Sequence, residues 1–404
     1  MNRPQTKIHR QSGEIRSLPG FRTAFSLHSH TQHSKENLAF LPQYIDYHSI
    51  PVVGPLFRKE MDGYQHRNPG KAIDFSRAYW TPPMSPAMVL ESEIRQIEGK
   101  LGLKPVVSIT DHDTIAGPLD LQSKANGRLI PISVEWSIPF RGNCFHMGIH
   151  HLEPARAVEI MEELERYTAE PQEERLCDLF ASLDSNHDTL VILNHPCCNF
   201  VKVGATRHWS TLQDFLSLCR PWIHAVEING MRPWNENQKV PPLAEAWELP
   251  VVCGGDRHGC RPNTMLNLSR CESWGEFVDD VRNCRPIDVV VLPAYEEPVR
   301  FRELITAADA LRRYPDFPYG RRRFTDRVWA DADNQGWHPL SFYLDGGRGT
   351  PFWLPPVAWT VTLLASDPVR AVLRTVFRAR GEYDRHTAEI KPEFASLATS
   401  LNGD

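Results

Sequence analysis

Five short apolar runs in this chain each stop at side chains able to hold a metal ion. They are Phe25-Ser-Leu-His28-Ser-His30, Val106-Val-Ser-Ile-Thr-Asp111-His112-Asp113, Ile132-Ser-Val-Glu135, Val191-Ile-Leu-Asn-His195 and Val251-Val-Cys-Gly-Gly-Asp256-Arg-His258. Neutral imidazoles and carboxylates without thiolates suit Zn, Mn or Fe. His28 and His30 stand two apart, as do Asp256 and His258, and on a strand that spacing points both side chains to one side. Glu135 is the lone carboxylate of its segment and suits a bridge between two cations. Asp111 and Asp113 flank His112, where either could orient the imidazole. His195 precedes Pro196, which favours an extended backbone there. One buried histidine is ordinary, but five strand endings of the same kind describe a polynuclear centre. With 17 histidines in the chain, His48, His66, His208 and His338 read as bystanders.

The elements that must position these residues alternate. Continuous Val/Ile/Leu runs are the mark of strands buried on both faces, and enzymes built on them place their chemistry at the strand ends. Strands are expected at 106–110, 130–136, 144–149, 191–194, 225–228 and 251–253, the second and third joined by a turn at Arg141-Gly142-Asn143. Helices are expected at 36–47, from Ser85-Pro86 to Leu101, after Gly117-Pro118, and over 154–167, 171–183, 211–218 and 242–247. About seven strands alternating with helices between Arg22 and Pro293 favour a closed α/β barrel over an open sheet. Residues 1–21 read as an irregular lead-in. Residues 50–86, rich in Pro and Gly, read as a lid-like insertion without regular structure. After Pro293 the alternation stops, and 294–404 read as a mostly helical appendage with helices at 299–313 and 367–380.

The bulk composition excludes several function classes. At 404 residues, 41% hydrophobic and 24% charged, the chain has ample material for a core. A net charge of −5 gives no reason to expect duplex nucleic-acid binding. The polar first twenty residues lack the apolar stretch of an export signal, no run is long enough to span a membrane, and the nine scattered cysteines form no disulfide or zinc framework, so a cytoplasmic enzyme is expected. Trp353, Trp359 and their apolar neighbours read as core or as a contact in a homo-oligomer.

The motifs His28-Ser-His30-Thr, Ile109-Thr-Asp-His-Asp-Thr-Ile-Ala-Gly117, Val134-Glu135, Asn194-His-Pro196 and Gly255-Asp-Arg-His258, in this order, resemble the PHP (polymerase and histidinol phosphatase) superfamily from about Phe25 to Cys260. The resemblance implies a distorted seven-stranded (β/α)7 TIM-like barrel that holds two or three divalent metal ions and hydrolyses phosphate esters. It implies a first metal on His28, His30, Glu135 and Asp256, a second on Glu135, His195 and His146, and a third on His112 and His258. His150 lies on the same strand side as His146 and is the alternative ligand.

This chain departs from the family after the first motif. The resemblance calls for an Asp where Lys35 stands, and an ammonium has no lone pair for a metal. Glu36 could replace that carboxylate if the loop shifts, with His33 a poorer candidate. Lys35 is then either a contact for substrate phosphate or a solvated loop residue. Arg257 is either a phosphate clamp or turned away by strand alternation. Glu227 and Asn229 end a strand and are candidate substrate contacts at the mouth. Asp113 and His258 are the candidates for moving protons, and a metal-held hydroxide is the expected nucleophile. Arg321-Arg322-Arg323 with Arg312, Arg313 and Arg327 is either solvated surface or a phosphate-recognition patch. The expected substrate is a small phosphomonoester or a nucleotide end. An amidohydrolase-type C–N hydrolase and a catalytically weakened metal-binding module are the alternatives.

Overall fold

The computed structural model describes residues 6–10, 18, 20–39, 41–42, 53–124, 127–312, 324–332, 336–344 and 350–379. Its strands are β1 (Ile8–Arg10), β2 (Thr23–Ser26), β3 (Glu36–Asn37), β4 (Ala78–Trp80), β5 (Lys104–Val107), β6 (Val134–Phe140), β7 (Asn143–His150), β8 (Leu190–Asn194), β9 (Ala225–Asn229), β10 (Val251–Gly254), β11 (Met265–Ser269), β12 (Asp288–Val291), β13 (Val328–Ala330) and β14 (His338–Pro339). They form three sheets, ordered β1-β12-β11-β2-β5, β10-β9-β8-β7-β6 and β14-β13-β4-β3.

The expected seven-stranded (β/α)7 TIM-like barrel is therefore corrected: the strands lie in three separate sheets, none closed into a barrel. Two features break the alternation on which a barrel depends. Arg141 and Gly142 take φ of 48° and 76°, so β6 and β7 join through a tight turn with two left-handed residues and pair antiparallel. The strand β11, which the apolar pattern did not reveal, pairs antiparallel with both β2 and β12. Parallel pairing survives in β8-β9-β10, in β2-β5 and in β1-β12, where residues 8–10 of the lead-in are a strand. The two five-stranded sheets meet through two single bridges, Ser29 with Arg257 and His112 with Glu135. Both lie among the strand endings read above as ligands.

The helices cover the outer faces. Ser85 caps the helix Pro86–Gln96, its hydroxyl accepting from Met88 N at 3.4 Å. Ser273 and Glu276 form a reciprocal capping box on the helix Trp274–Arg282. The helices Ala157–Ala169, Glu173–Asp184 and Ala205–Cys219 bury Leu164, Tyr167, Phe180, Phe215 and Leu216 against Trp136 and the strands behind it.

Two local expectations are overturned. Residues 53–67 form a helix despite the Pro and Gly content, because Gly54 and Pro55 fall in its first turn, where a missing N–H is no loss. Glu36 lies on β3 rather than in a helix, and 43–50 fall outside the described residues. The strands β3, β4, β13 and β14 and the helix Val53–Arg67 enclose their own apolar cluster of Leu38, Tyr64, Phe75, Val328, Leu340 and Tyr343. Farther on, the helices Val299–Arg312 and Asp367–Ala379 lie where helices were expected, while the helix Leu354–Leu364 and the strands β13 and β14 were not expected. Of the basic cluster, Arg327 is buried, while Arg313 and Arg321–Arg323 lie outside the described residues, as does His48. Among the described residues no helix is long and apolar enough to cross a membrane.

Candidate metal centre

The loops that follow β2, β5, β8 and β10, together with β3, β6 and β7, bring their side chains to one buried place. His28 and His30 do not reach it by strand alternation. They lie beyond β2, and His28 turns the chain with φ of 66°. Asp256 repeats the device beyond β10 with φ of 53°, Asp113 takes φ of 51°, and His195 takes φ of 29°. His195 is thus left-handed rather than extended. Non-glycine residues in this region cost energy, and such strain gathers where geometry serves function. Gly254 is needed for a different reason, since a Cβ there would land inside the Glu227 carboxylate.

Glu135 is the hub and is wholly buried. Its Oε2 lies 2.9 Å from His28 Nε2, 3.2 Å from His30 Nε2 and 3.4 Å from His112 Nε2. Its Oε1 lies 3.1 Å from His195 Nε2 and 3.4 Å from His146 Nδ1, and accepts from Asn194 Nδ2 at 3.0 Å. Asp256 Oδ1 completes one group, 3.5 Å from His28 Nε2 and 3.3 Å from His30 Nε2. Glu36 Oε2 forms another with His258 Nε2 at 3.0 Å and His112 Nε2 at 3.4 Å. The ligand atoms of His28, His30, Glu135 and Asp256 fall within 4.8 Å of one another, as do those of His112, Glu135 and His146, those of His28, His195 and Glu227, and those of His30, Glu36, His112 and His258.

The outer nitrogens of three imidazoles are already engaged. His28 Nδ1 lies 2.7 Å from Glu227 Oε2, His30 Nδ1 lies 3.1 Å from Ser34 Oγ, and His258 Nδ1 lies 2.8 Å from the Asp256 carbonyl. The carboxylate and the carbonyl can only accept, and Ser34 Oγ spends its proton on Glu36 Oε1 at 2.6 Å. Each Nδ1 therefore donates, leaving Nε2 as the lone-pair donor facing the shared space. Among the described residues His146 Nδ1 is buried without a well-formed hydrogen bond, Glu135 Oε1 lying 3.4 Å away, a gap that a cation would satisfy.

The electrostatics call for positive charge. Burial alone would depress the His28 and His146 imidazoles, yet Glu135 and its neighbours hold both well above the usual value, and His30 is raised to about 10 against the same burial by Glu36, Asp256 and Glu135. Burial would raise Glu135 and Asp256, yet the surrounding imidazoles hold both well below the carboxylate range. His112 goes the other way, pushed down to about 3 chiefly by burial. A cluster that keeps its carboxylates ionised and draws protons onto its imidazoles is one into which divalent cations fit.

Several expected site residues lie elsewhere. Arg257 is 3% exposed and faces away, donating to Glu93 Oε1 at 2.6 Å and to Met84 Sδ at 2.9 Å. The phosphate-clamp alternative is not what the geometry shows. Lys35 is exposed, with Nζ 5.7 Å from the Tyr79 ring centre. Glu227 and Asn229 are buried beneath the histidines rather than at an open mouth. Asn229 Nδ2 donates to Glu227 Oε1 at 2.7 Å and to Asp256 Oδ2 at 3.1 Å, so the pair braces ligands. Asp111 orients no imidazole; it accepts from Thr31 N and Oγ1 at 2.5 and 2.8 Å, which pins the His30 loop. His150 is paired with Ser108 Oγ at 2.8 Å, leaving His146 as the histidine of that strand beside Glu135. His208 contacts Asn143 and the Pro196 carbonyl, and His66 is exposed.

Three contributors escaped the sequence reading. Ser34 links His30, Glu36 and His112, its Oγ also accepting from His112 N at 3.0 Å. Asn194 braces Glu135, and its place beside His195 at the end of β8 was the available signal. Phe200, 39% exposed, stacks on His146 with ring centres 4.7 Å apart and walls one side of the site. No sequence pattern marked it.

No known protein family and no curated protein matches this chain. Solved structures similar to it include a Bifidobacterium adolescentis protein described as a metal-dependent phosphoesterase (TM-score 0.32, 14% identity, 50% of this chain and 92% of that one). Others are an amidohydrolase from Chromobacterium violaceum with bound sulfate and no metal (TM-score 0.34, 14% identity, 50% and 92%) and PsfC from Pseudomonas syringae (TM-score 0.34, 16% identity, 52% and 83%). Likeness at these scores carries no weight for family or activity, and the PHP resemblance stays one of motifs.

Proposed function

We propose that this chain is a metal-dependent hydrolase of PHP type that cleaves phosphate esters, either small phosphomonoesters or a nucleotide end. The observation that carries the reading is the convergence of His28, His30, His112, His146 and His195 on the two oxygens of Glu135, with Asp256 closing one side. His28, His30, Glu135 and Asp256 would hold one cation, and Glu135, His146 and His195 a second. Divalent cations there would lower the pKa of water toward neutrality and polarise phosphoryl oxygens.

The chain's own residues supply the rest. Glu227 and Ser34 fix the imidazoles of His28 and His30, so little reorganisation is left for the reaction. Asp113 is the group suited to holding a proton near neutral pH, since burial pushes its carboxyl up to about 6 while Ser137 N donates to its Oδ1 at 2.8 Å. His258, expected as a second proton carrier, faces Glu36 instead and suits a ligand role. Phe200 and the buried surroundings exclude water on one side.

Element analysis of protein purified without added metal, paired with a screen of phosphomonoesters, dinucleotides and amides in Mn, Zn and Fe, tests the reading. About two or more cations per chain and ester cleavage are expected. Less than one cation per chain, unchanged by His28→Ala or Asp256→Ala, would sink the metal centre. Full occupancy with amide cleavage alone would reassign the chemistry, and full occupancy with no turnover would make the protein a binding module.

A further inference from the structure

We infer that the four-stranded sheet is a separable support for a third cation position, and that the segment carrying β13 and β14 sets that position's occupancy. The inference rests on the metal reading above and goes beyond it.

Among the described residues Glu36 is the carboxylate of a group with His30, His112 and His258, which shares His30 but neither Glu135 nor Asp256 with the first position. His112 and His258 come from loops that follow β5 and β10 of the large sheets. Glu36 comes from β3, a strand of two residues whose register partners are both on β4: Glu36 with Trp80, and Asn37 with Tyr79. Leu38 N extends the pairing to the Ala78 carbonyl at 3.0 Å. So short a strand cannot hold its own place.

The other edge of β4 is occupied by β13, with Val328 opposite Trp80 and Ala330 opposite Ala78. Beyond the ladder, Arg77 pairs with Asp331, and Asp331 N donates to the Arg77 carbonyl at 3.1 Å. Val328, Ala330, Leu340, Tyr343 and Leu344 supply about half of the apolar cluster beneath this sheet. Tyr343 adds a hydrogen bond to the Ala330 carbonyl at 3.2 Å and an edge contact to Tyr64. This cluster is distinct from those under the two large sheets. The strand that carries the carboxylate of the third position is thus anchored in one packing unit and the His112 and His258 imidazoles in another, with Ser34 Oγ joining them through Glu36 Oε1 at 2.6 Å and His112 N at 3.0 Å. Metal affinity at this position therefore follows the stability of the small sheet, a local unit able to open without the whole fold. The first two positions draw no ligand from that sheet.

The test counts metal ions in the full chain, by element analysis and by equilibrium dialysis against Mn(II). Far-UV circular dichroism is recorded for each protein. Val328 lies opposite Trp80 and within the apolar cluster of the small sheet, so Val328→Asp is aimed at the support. Glu36→Gln removes the ligand itself, and Val328→Ala is the milder variant should the aspartate prevent folding. The expected result is three cations in the wild type and two in Glu36→Gln and Val328→Asp. Val328→Ala should retain the third with its dissociation constant raised about tenfold or more. Two cations in the wild type, or three in Val328→Ala with unchanged affinity, would overturn the inference while leaving the two-cation reading intact. Loss of all cations together in a folded Val328 variant would overturn it as well. A wild type that binds none would instead bring down the metal centre.

Discussion

Two regions of the molecule supply candidate ligands to the proposed metal centre by different means. The large sheets hold theirs at strand ends locked by buried polar braces: Glu227 under His28, Asn229 under Asp256, Asn194 beside Glu135 and Asp111 on the Thr31 turn. The small sheet holds one ligand, Glu36, on two residues of strand supported by chain from more than 240 positions away. In the first region a ligand's position is over-determined by neighbours that cannot move without leaving buried groups unpaired. In the second it rests on a small apolar cluster and one buried hydrogen bond, from Ser34 Oγ to Glu36 Oε1 at 2.6 Å. A site built across both should bind its cations with graded strength.

The largest effect that sharpens this contrast is expected at the hub. Glu135→Ala removes the carboxylate shared by the first two proposed positions and should abolish cation binding at both, read as loss of bound metal by element analysis. Equal loss in Glu36→Gln would erase the contrast between the two regions.

The rigidity of the large-sheet region is tested at Glu93. Its carboxylate takes Arg257 Nη1 at 2.6 Å, Asn263 N at 2.9 Å and the Ser26 hydroxyl at 3.0 Å, all buried. Glu93→Ala leaves the Arg257 charge buried and unpaired and should cost about 3–5 kcal/mol in denaturant unfolding. A cost below about 1 kcal/mol would show that the region is not braced as described.

A smaller effect is expected from the brace on His28. Glu227→Gln keeps the shape but loses the charge and should weaken metal affinity about 10- to 100-fold with little change in unfolding. Unaltered affinity would remove Glu227 from the site.

Two groups contribute to the pH dependence of the metal-free protein with opposite sign around pH 6.5. His30, raised to about 10 from 6.5, adds stability that is full below pH 6.5 and is lost as pH rises toward 10. His112, lowered to about 3 from 6.5, costs stability as pH falls below 6.5 toward 3. The stability of metal-free protein should therefore crest near pH 6.5, and saturating Mn(II) should move the crest upward, since cations replace the protons above it. Thermal unfolding across pH with and without metal checks this; a crest that does not move on adding metal contradicts it. The smallest effect is expected at Lys35→Ala, below about 0.5 kcal/mol and without change in metal count.

Much of the site was legible because ligand chemistry is local in sequence. An apolar run ending in His-x-His or Asp-x-His is visible without a fold, and His28, His30, Glu135, His195, Asp256 and His258 do converge, although His28, His195 and Asp256 do so through left-handed turns rather than strand alternation. What failed was inference about direction. Alternation along an ideal strand aimed Arg257 ambiguously and sent Glu227 to the mouth, while left-handed turns at His28 and Asp256 redirected the loops. Such turns favour His and Asp over other non-glycine residues, yet most His and Asp do not adopt them, so residue type marks them only weakly. The barrel failed for a related reason: β11 and the β6–β7 hairpin reverse the chain, and apolar content does not report strand direction.

The sequence by itself determined the inventory: which side chains can ligate, that they end buried runs, that Lys35 cannot serve a metal, and where most helices lie. Those properties depend on residue type and short-range periodicity. Only the tertiary structure decided that Glu36 faces His112 and His258, that Arg257 is spent on Glu93, that Glu227 sits under His28, and that the strands divide into three sheets. Each of these joins residues far apart in the chain through buried contacts, and the energy that selects them exists only once the apolar clusters have packed.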